Sequence, residues 1–252
     1  CAPMLSVQSS FRLPLNLTIL GGPGSGKGTY GRMLANAWRV PLYSSSKIIL
    51  RAFPRSTTTT TASLDISSKL DTGILVDDEI VASALLEFLQ SHHAHQSTHF
   101  MMDGFPRTRR QIDLMNSTWP ERHRITTAFH LNVPDSVCEQ KIAGRRVCAI
   151  CHQEPNRADV RVDGFVLPPT RLNVCENRCD PDIDWRQRPD DTDPSIIAKR
   201  LADYRSHAPE LLEYYESIRG LRSLTPYYGV KDYHKMQTTL EQWFTTVATK
   251  KK

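Results

Sequence analysis

Gly21-Gly-Pro-Gly-Ser-Gly-Lys27-Gly-Thr29 packs five glycines and one lysine into nine residues. It follows Leu15-Asn-Leu-Thr-Ile-Leu20, short, apolar and β-branched, which predicts a buried strand. It precedes Tyr30-Gly-Arg-Met-Leu-Ala-Asn-Ala-Trp38, whose apolar residues recur at helical spacing. Strand, glycine loop and helix are the context that a phosphate-binding loop requires. Glycines let the backbone curl so that successive N–H groups point at an anion, and the helix adds its positive dipole end. Lys27 supplies a mobile charge for the outer phosphates, and Thr29 offers a hydroxyl near a metal. The loop departs from G-x-x-x-x-G-K-[ST] in one respect: position 28 is Gly, and the hydroxyl residue follows one place later.

Further strands and helices alternate after it. Pro41-Leu-Tyr43 reads as a turn into Ser44-Ser-Ser46, Ile48–Phe53 as helical, and Ser56–Thr61 as a surface loop. Helical spacing resumes over Leu64–Asp71 and stops at Gly73, a C-cap. A helix follows, capped by Asp77 or Asp78, with Ile80, Val81, Ala84, Leu85, Phe88 and Leu89 on one face. Its His-rich end, His92, His93, His95 and His99, reads as a solvated connection rather than a metal site. Phe100–Asp103 and Thr126–Val133 predict buried strands, Asp135–Ala143 and Ser195–Glu216 helices, Leu221–Leu224 a strand and Met236–Thr249 a closing helix. This order predicts an α/β fold of the P-loop NTPase type, a parallel sheet with helices on both faces. Ligands of such sheets sit at the carboxyl ends of the strands, where Gly21–Thr29 and Asp103 fall.

The bulk numbers agree. At 252 residues, 39% hydrophobic and 23% charged, the chain can bury a substantial core. No apolar run approaches the roughly 20 residues that span a bilayer, which predicts a soluble protein with no membrane partner. Net charge is +5, and residues 1–64 hold seven Lys and Arg with no Asp or Glu. These cations are scattered through the strand–loop–helix unit without interleaved aromatics, so small phosphates explain them better than nucleic acid does. Residues 1–15 read as a disordered tail, only faintly like a transit peptide. Four of six cysteines share one stretch, Cys148, Cys151, Cys175 and Cys179; two close pairs suit a tetrahedral zinc site better than disulfides in an intracellular nucleotide enzyme.

Three stretches in order, Gly21–Thr29, Asp103-Gly-Phe-Pro-Arg-Thr108, and Gly144-Arg-Arg146 with Arg188-Pro-Asp-Asp191, resemble the adenylate kinase family of nucleoside monophosphate kinases over roughly residues 16–245. Gly28 fits that family's Gly-Lys-Gly-Thr. The resemblance implies one domain, 16–250, with an acceptor-binding (NMP) insertion at 44–76 and a long lid at 147–187 that closes over ATP. It implies Mg²⁺-dependent transfer, ATP plus AMP giving two ADP; the alternatives are a GTP-using enzyme or a catalytically weak, zinc-lidded nucleotide-binding protein. It further implies a structural Zn²⁺ in the lid, a monomer, and an intracellular place, cytoplasmic or mitochondrial.

Residue roles follow from the same resemblance. Gly24, Ser25, Gly26, Lys27, Gly28 and Thr29 would hold the ATP phosphates, with Lys141 and Lys231 near the donor. Asp103 would orient magnesium through water. Arg51 and Arg107 would grip the acceptor phosphate, while Arg145, Arg188 and Arg200 surround the transferring group. Ser46, Ile74, Leu75, Val76, Gly104, Phe105 and Gln111 would complete the acceptor pocket, Gln111 reading the base. Guanidinium forks and magnesium are the equipment such a reaction needs, since it asks for alignment and charge neutralisation. One departure stands out: Ser46-Lys47-Ile48 replaces the family's Thr-Gly-Asp, so a carboxylate is lost and a cation gained beside the acceptor.

Overall fold

The structure is a computed structural model that describes residues 16–54, 65–66, 68–69, 72, 74–93, 99–151, 153–170, 179–180 and 182–249. The tail, the Ser56–Thr61 loop, Gly73 and Cys175 lie outside the described residues, as do the side chains of His92, His93 and His95.

Five parallel strands form the central sheet in the order β2–β3–β1–β4–β9. They are β1 (Asn16–Leu20), β2 (Leu42–Ser44), β3 (Phe100–Asp103), β4 (Thr127–Leu131) and β9 (Leu221–Leu224). β1 is central and buried at all five positions, as expected of a strand covered on both faces. Period-two alternation assigns its faces. Leu17 and Ile19, with Met101 of β3 and Phe129 and Leu131 of β4, pack against α1 (Lys27–Trp38) and α7 (Tyr233–Thr249) through Leu34, Trp38, Leu240 and Phe244. Leu20, Phe100, Met102 and Ala128 point the other way. They meet α2 (Ser45–Ala52), α3 (Asp78–His93), α4 (Arg109–Thr118) and α6 (Pro194–Ser217), with Trp119 and Tyr215 fully buried among them. Helices therefore cover both faces. Among the described residues no helix is long and apolar enough to cross a membrane.

α5 (Asp135–Gly144) leads out of β4 into two short pieces of sheet. β5 (Val147–Cys148) pairs antiparallel with β8 (Trp185–Arg186), and β6 (Val160–Val162) pairs with β7 (Phe165–Leu167). Val160, Phe165 and Leu167 bury against Val137 of α5, a small cluster separate from the main core. The β6–β7 hairpin also touches the body near the C-terminus, where Val166 N–H donates to the Tyr227 carbonyl at 2.7 Å.

Several sequence readings need correction. Leu42–Ser44 is an edge strand and not a turn, because pairing Leu42 with Met101 of β3 satisfies a backbone that the sequence alone leaves unassigned. α2 starts at Ser45, three residues before the apolar signal at Ile48. α4 went unread because its first turn is Arg109-Arg110-Gln111 and only Gln111, Ile112 and Met115 are buried. Asp77, not Asp78, caps α3, accepting from Glu79 N–H at 3.0 Å and Ile80 N–H at 3.3 Å.

Candidate functional site

The carboxyl ends of β1, β2 and β3, the start of α1, and residues 141–170 and 188–211 enclose a cleft of about 600 Å³. Its floor is the glycine loop. Gly24 takes a φ of +84°, and a Cβ there would lie 2.4 Å from the Cys138 carbonyl oxygen, so neither the conformation nor the space admits a side chain. α1 begins immediately afterwards at Lys27, with no acidic residue in its first turn and no side-chain cap, so its positive end stays open to the cleft. Lys27 Nζ donates to the carbonyls of Gly21 and Gly22 at 2.7 and 2.8 Å, held over the loop it serves. Burial lowers its pKa to about 8, an effect that Asp103 partly offsets and Arg107 and Arg145 deepen. An ammonium so starved of solvent gains from a phosphate what water no longer gives it. The Ser25 hydroxyl is buried in the same loop without a hydrogen-bond partner.

Behind the loop lies a buried histidine. His130 shares hydrogen bonds of 3.2 Å with Ser223 and with the Tyr204 hydroxyl. Burial, with Lys27 nearby, pushes its pKa down to about 4.

The Asp103–Arg107 segment forms the second element. Gly104 has φ +88°, and a Cβ there would meet Ser45 Oγ at 2.6 Å and Arg107 Nη2 at 2.9 Å. The Phe105–Pro106 peptide is cis. Arg107 Nε donates to the Gly104 carbonyl at 2.9 Å, folding the side chain back along its own turn, and Ser45 Oγ donates to the same carbonyl at 2.8 Å. Thr108 caps α4 by accepting from Gln111 N–H.

Arg145 at the end of α5, Arg188 ahead of the 189–191 turn and Arg200 of α6 close the third side. Arg145 grips Asp191 with a two-pronged pair at 2.6 and 2.5 Å. Arg200 Nη1 reaches Asp190 Oδ2 at 2.9 Å and Asp191 Oδ1 at 3.0 Å, and Arg188 meets Asp190 at 3.1 and 3.2 Å. The side chain of Asp191 is wholly buried. Burial alone would raise its pKa, but Arg145 outweighs that and holds it below the usual carboxylate range. Two acids thus aim three arginines at one region of the cleft. Asp190 and Asp191 were quoted in the sequence only as spacing marks. The signal that could have found them is that three arginines converging on a cleft need buried counter-charges.

Other sequence candidates divide between cleft wall and elsewhere. Gly24, Gly26, Gly28, Thr29, Ser46, Ile74, Leu75, Gly104 and Lys141 line the cleft, as do Lys27, Asp103 and Arg107 and the three arginines on the Asp pair. Val76 and Phe105 lie in the core below it. Arg51, on α2, and Lys231, in the 229–232 turn, are exposed and off the wall. Gln111 is 2% exposed; its amide oxygen accepts from Arg107 N–H at 2.7 Å and its nitrogen donates to Asp78 at 2.8 Å. Both ends of that amide are therefore occupied by protein. Lys47 faces the cleft, whereas Ile48 packs into the core.

Beyond the cleft, the Sγ atoms of Cys148, Cys151 and Cys179 lie within 4.8 Å of one another. Cys148 also accepts from Cys151 N–H at 3.5 Å, and that backbone contact is the main cause of its lowered pKa. Three converging thiols, one with a lowered pKa, are a donor set compatible with zinc.

A family model described as adenylate kinase matches residues 19–219. The chain belongs to the adenylate kinase family. It is a nucleoside monophosphate kinase on an α/β parallel-sheet fold. It is 30% identical over 208 residues to an adenylate kinase of Clostridium botulinum strain Eklund 17B, covering 81% of this chain and 87% of that protein. An adenylate kinase of Gloeobacter violaceus is 30% identical over 209 residues, covering 82% of this chain and 90% of the relative. One from Clostridium perfringens strain 13 is 29% identical over 210 residues, covering 83% and 89%. ATP and AMP are the substrates, and magnesium the metal, that membership of the adenylate kinase family implies.

Proposed function

We propose that the cleft carries out the adenylate kinase reaction with a fixed division of labour. The loop Gly21–Thr29 holds the donor triphosphate, residues 44–76 and Arg107 take the monophosphate, and Arg145, Arg188 and Arg200 act on the phosphoryl group between them. The observation that carries this reading is the placement of Lys27 and an uncapped helix end on one side and three Asp-anchored arginines on the other, around one cleft. Charge develops on the moving phosphoryl oxygens, and cations already held in place by buried acids need no reorganisation when it does.

Magnesium fits the residues present. Asp103 and Thr29 both line the cleft beside the loop and offer the oxygen donors that a hard cation prefers. When bound with the triphosphate, the metal neutralises charge on the phosphates. Lys27 binds and orients the outer phosphates, Arg107 fixes the acceptor, and the lid side chains exclude water. We infer that residues 147–187 move as the lid and that Cys148, Cys151 and Cys179, with Cys175 outside the described residues, hold a structural zinc away from the chemistry. The placement of Gln111 supports a positioning role, holding the Arg107 backbone and α3 together, in place of base reading.

A GTP donor or a catalytically weak binding protein is not favoured, since the relatives are named adenylate kinases and the charged groups of the site are retained. A cytoplasmic place is proposed with the function because these relatives are bacterial; nothing supports a mitochondrial one. Steady-state assays with every pairing of ATP or GTP with the monophosphates, in magnesium, test the reading. ATP with AMP should be the best pair. Transfer to no monophosphate, or preferential use of GTP, would overturn it.

A further inference from the structure

Among the described lid residues that line the cleft, Val147, Glu154, Asn156 and Thr170, only Glu154 is charged. Its place is unexpected for a phosphate site. Glu154 Oε2 lies 3.4 Å from where a Cβ on Gly28 would stand, and Asp103 Oδ2 lies 3.8 Å from that same point. Arg32 Nη1 lies 3.6 Å from it as well, so both carboxylates and one guanidinium gather at the first turn of α1, where Gly28 carries no side chain. Glu154 is meanwhile paired with Arg32 Nη1 of α1 at 3.2 Å, both side chains being partly exposed, 47% for the arginine and 30% for the glutamate. An ion pair that open to water is weak and easily exchanged. A loop built to attract polyphosphate therefore carries two acids beside the start of its helix.

We propose that Glu154 makes the donor site selective for the metal-bound triphosphate. The inference rests on the assignment of Gly21–Thr29 as the donor loop. With Asp103, Glu154 presents two negative charges to the phosphates. A bare triphosphate meets repulsion from both, whereas one carrying a divalent cation brings a charge that carboxylate oxygens attract. Glu154 then exchanges Arg32 for the metal-bearing nucleotide, and the lid closes on the cation-loaded donor only. The acid thus supplies, from the lid, a carboxylate near the phosphates in a chain where Ile48 has removed one from the acceptor side.

The test is equilibrium binding of ATP to the full-length protein, once in excess EDTA and once in excess Mg²⁺, for the wild type, E154Q and R32Q. The wild type should bind metal-free ATP more weakly than Mg-ATP. In E154Q that ratio should shrink on the order of tenfold, the scale of one unit charge acting across roughly 10 Å near a protein surface. In R32Q, which breaks the pair but keeps the acid, the ratio should hold or widen. An unchanged ratio in E154Q overturns the inference alone. A collapse in R32Q equal to that in E154Q overturns it too, because the pair would then act as a lid latch. No ATP binding by the wild type in either condition would remove the donor-loop reading, and this inference with it.

Discussion

The two sides of the cleft are built by different means. The donor side is backbone: a glycine at φ +84° where a Cβ would run into the Cys138 carbonyl, a helix end without a cap, and Lys27 folded over its own loop. The opposite side is side chains: Arg145, Arg188 and Arg200, from three different places in the chain, aimed by Asp190 and Asp191. A backbone site is fixed by local conformation and keeps its shape without neighbours. A side-chain site keeps its shape only while buried acids balance it, and its parts can be carried on moving pieces. In the proposed division of labour, binding the donor belongs to the first kind of construction and transferring the phosphoryl group to the second.

Breaking the backbone side at Lys27 should have the largest effect. Lys27→Met should lower kcat/KM for transfer by about 10³-fold, the scale of losing a preorganised charge at a reacting oxyanion. A coupled assay reads it, and a loss of less than tenfold would detach the loop from the mechanism. On the other side, Asp191→Ala leaves Arg145 and Arg200, both largely buried, without their shared partner. Urea unfolding should show a stability loss of about 3–5 kcal/mol, typical of an abandoned buried charge. A loss below about 1 kcal/mol would mean that the acids do not organise the arginines.

The cysteine cluster lies outside the comparison and should be separable from both sides. Chelation of purified protein should lower the thermal midpoint by several degrees while leaving Lys27-dependent ATP binding at 25 °C intact. A midpoint unmoved by chelator would contradict a structural metal.

The smallest effect is protonic. Free Lys27 titrates near 8, well below its unfolded value of 10.5. Phosphate favours the ammonium and raises the pKa, so ATP binding at pH 8 should take up about half a proton. Calorimetry in buffers of different ionisation enthalpy measures this, and zero uptake would mean that the lysine is not the phosphate ligand. In the free protein the unfolded chain holds more protons on Lys27 between pH 8 and 10.5. This group's contribution to stability therefore rises with pH across that window.

The same contrast explains what the sequence made legible. The β1–loop–α1 unit, β3 with Asp103–Arg107, and the helices after β4 were readable because their signals are local: apolar runs, glycines and caps. The edge strand β2 was not, since Leu42–Ser44 is a strand only by virtue of β3 beside it. α4 hid behind a polar first turn, and the β6–β7 hairpin behind strands of three residues each. In the site, the arginines were legible through family spacing, but their acid anchors and Glu154 were not. Which carboxylate a guanidinium meets across 46 or 122 residues is decided by packing.

The division of labour is tested most directly by Arg188→Ala, because Arg188 is more than a third exposed and its loss leaves the fold intact. The measurement is ATP affinity alongside the single-turnover rate of ADP formation from saturating ATP and AMP in magnesium. ATP affinity should stay within about threefold of wild type while the transfer rate falls by at least about 10²-fold. If affinity and rate fall together, or the rate is unchanged, the two sides of the cleft do not divide binding from transfer.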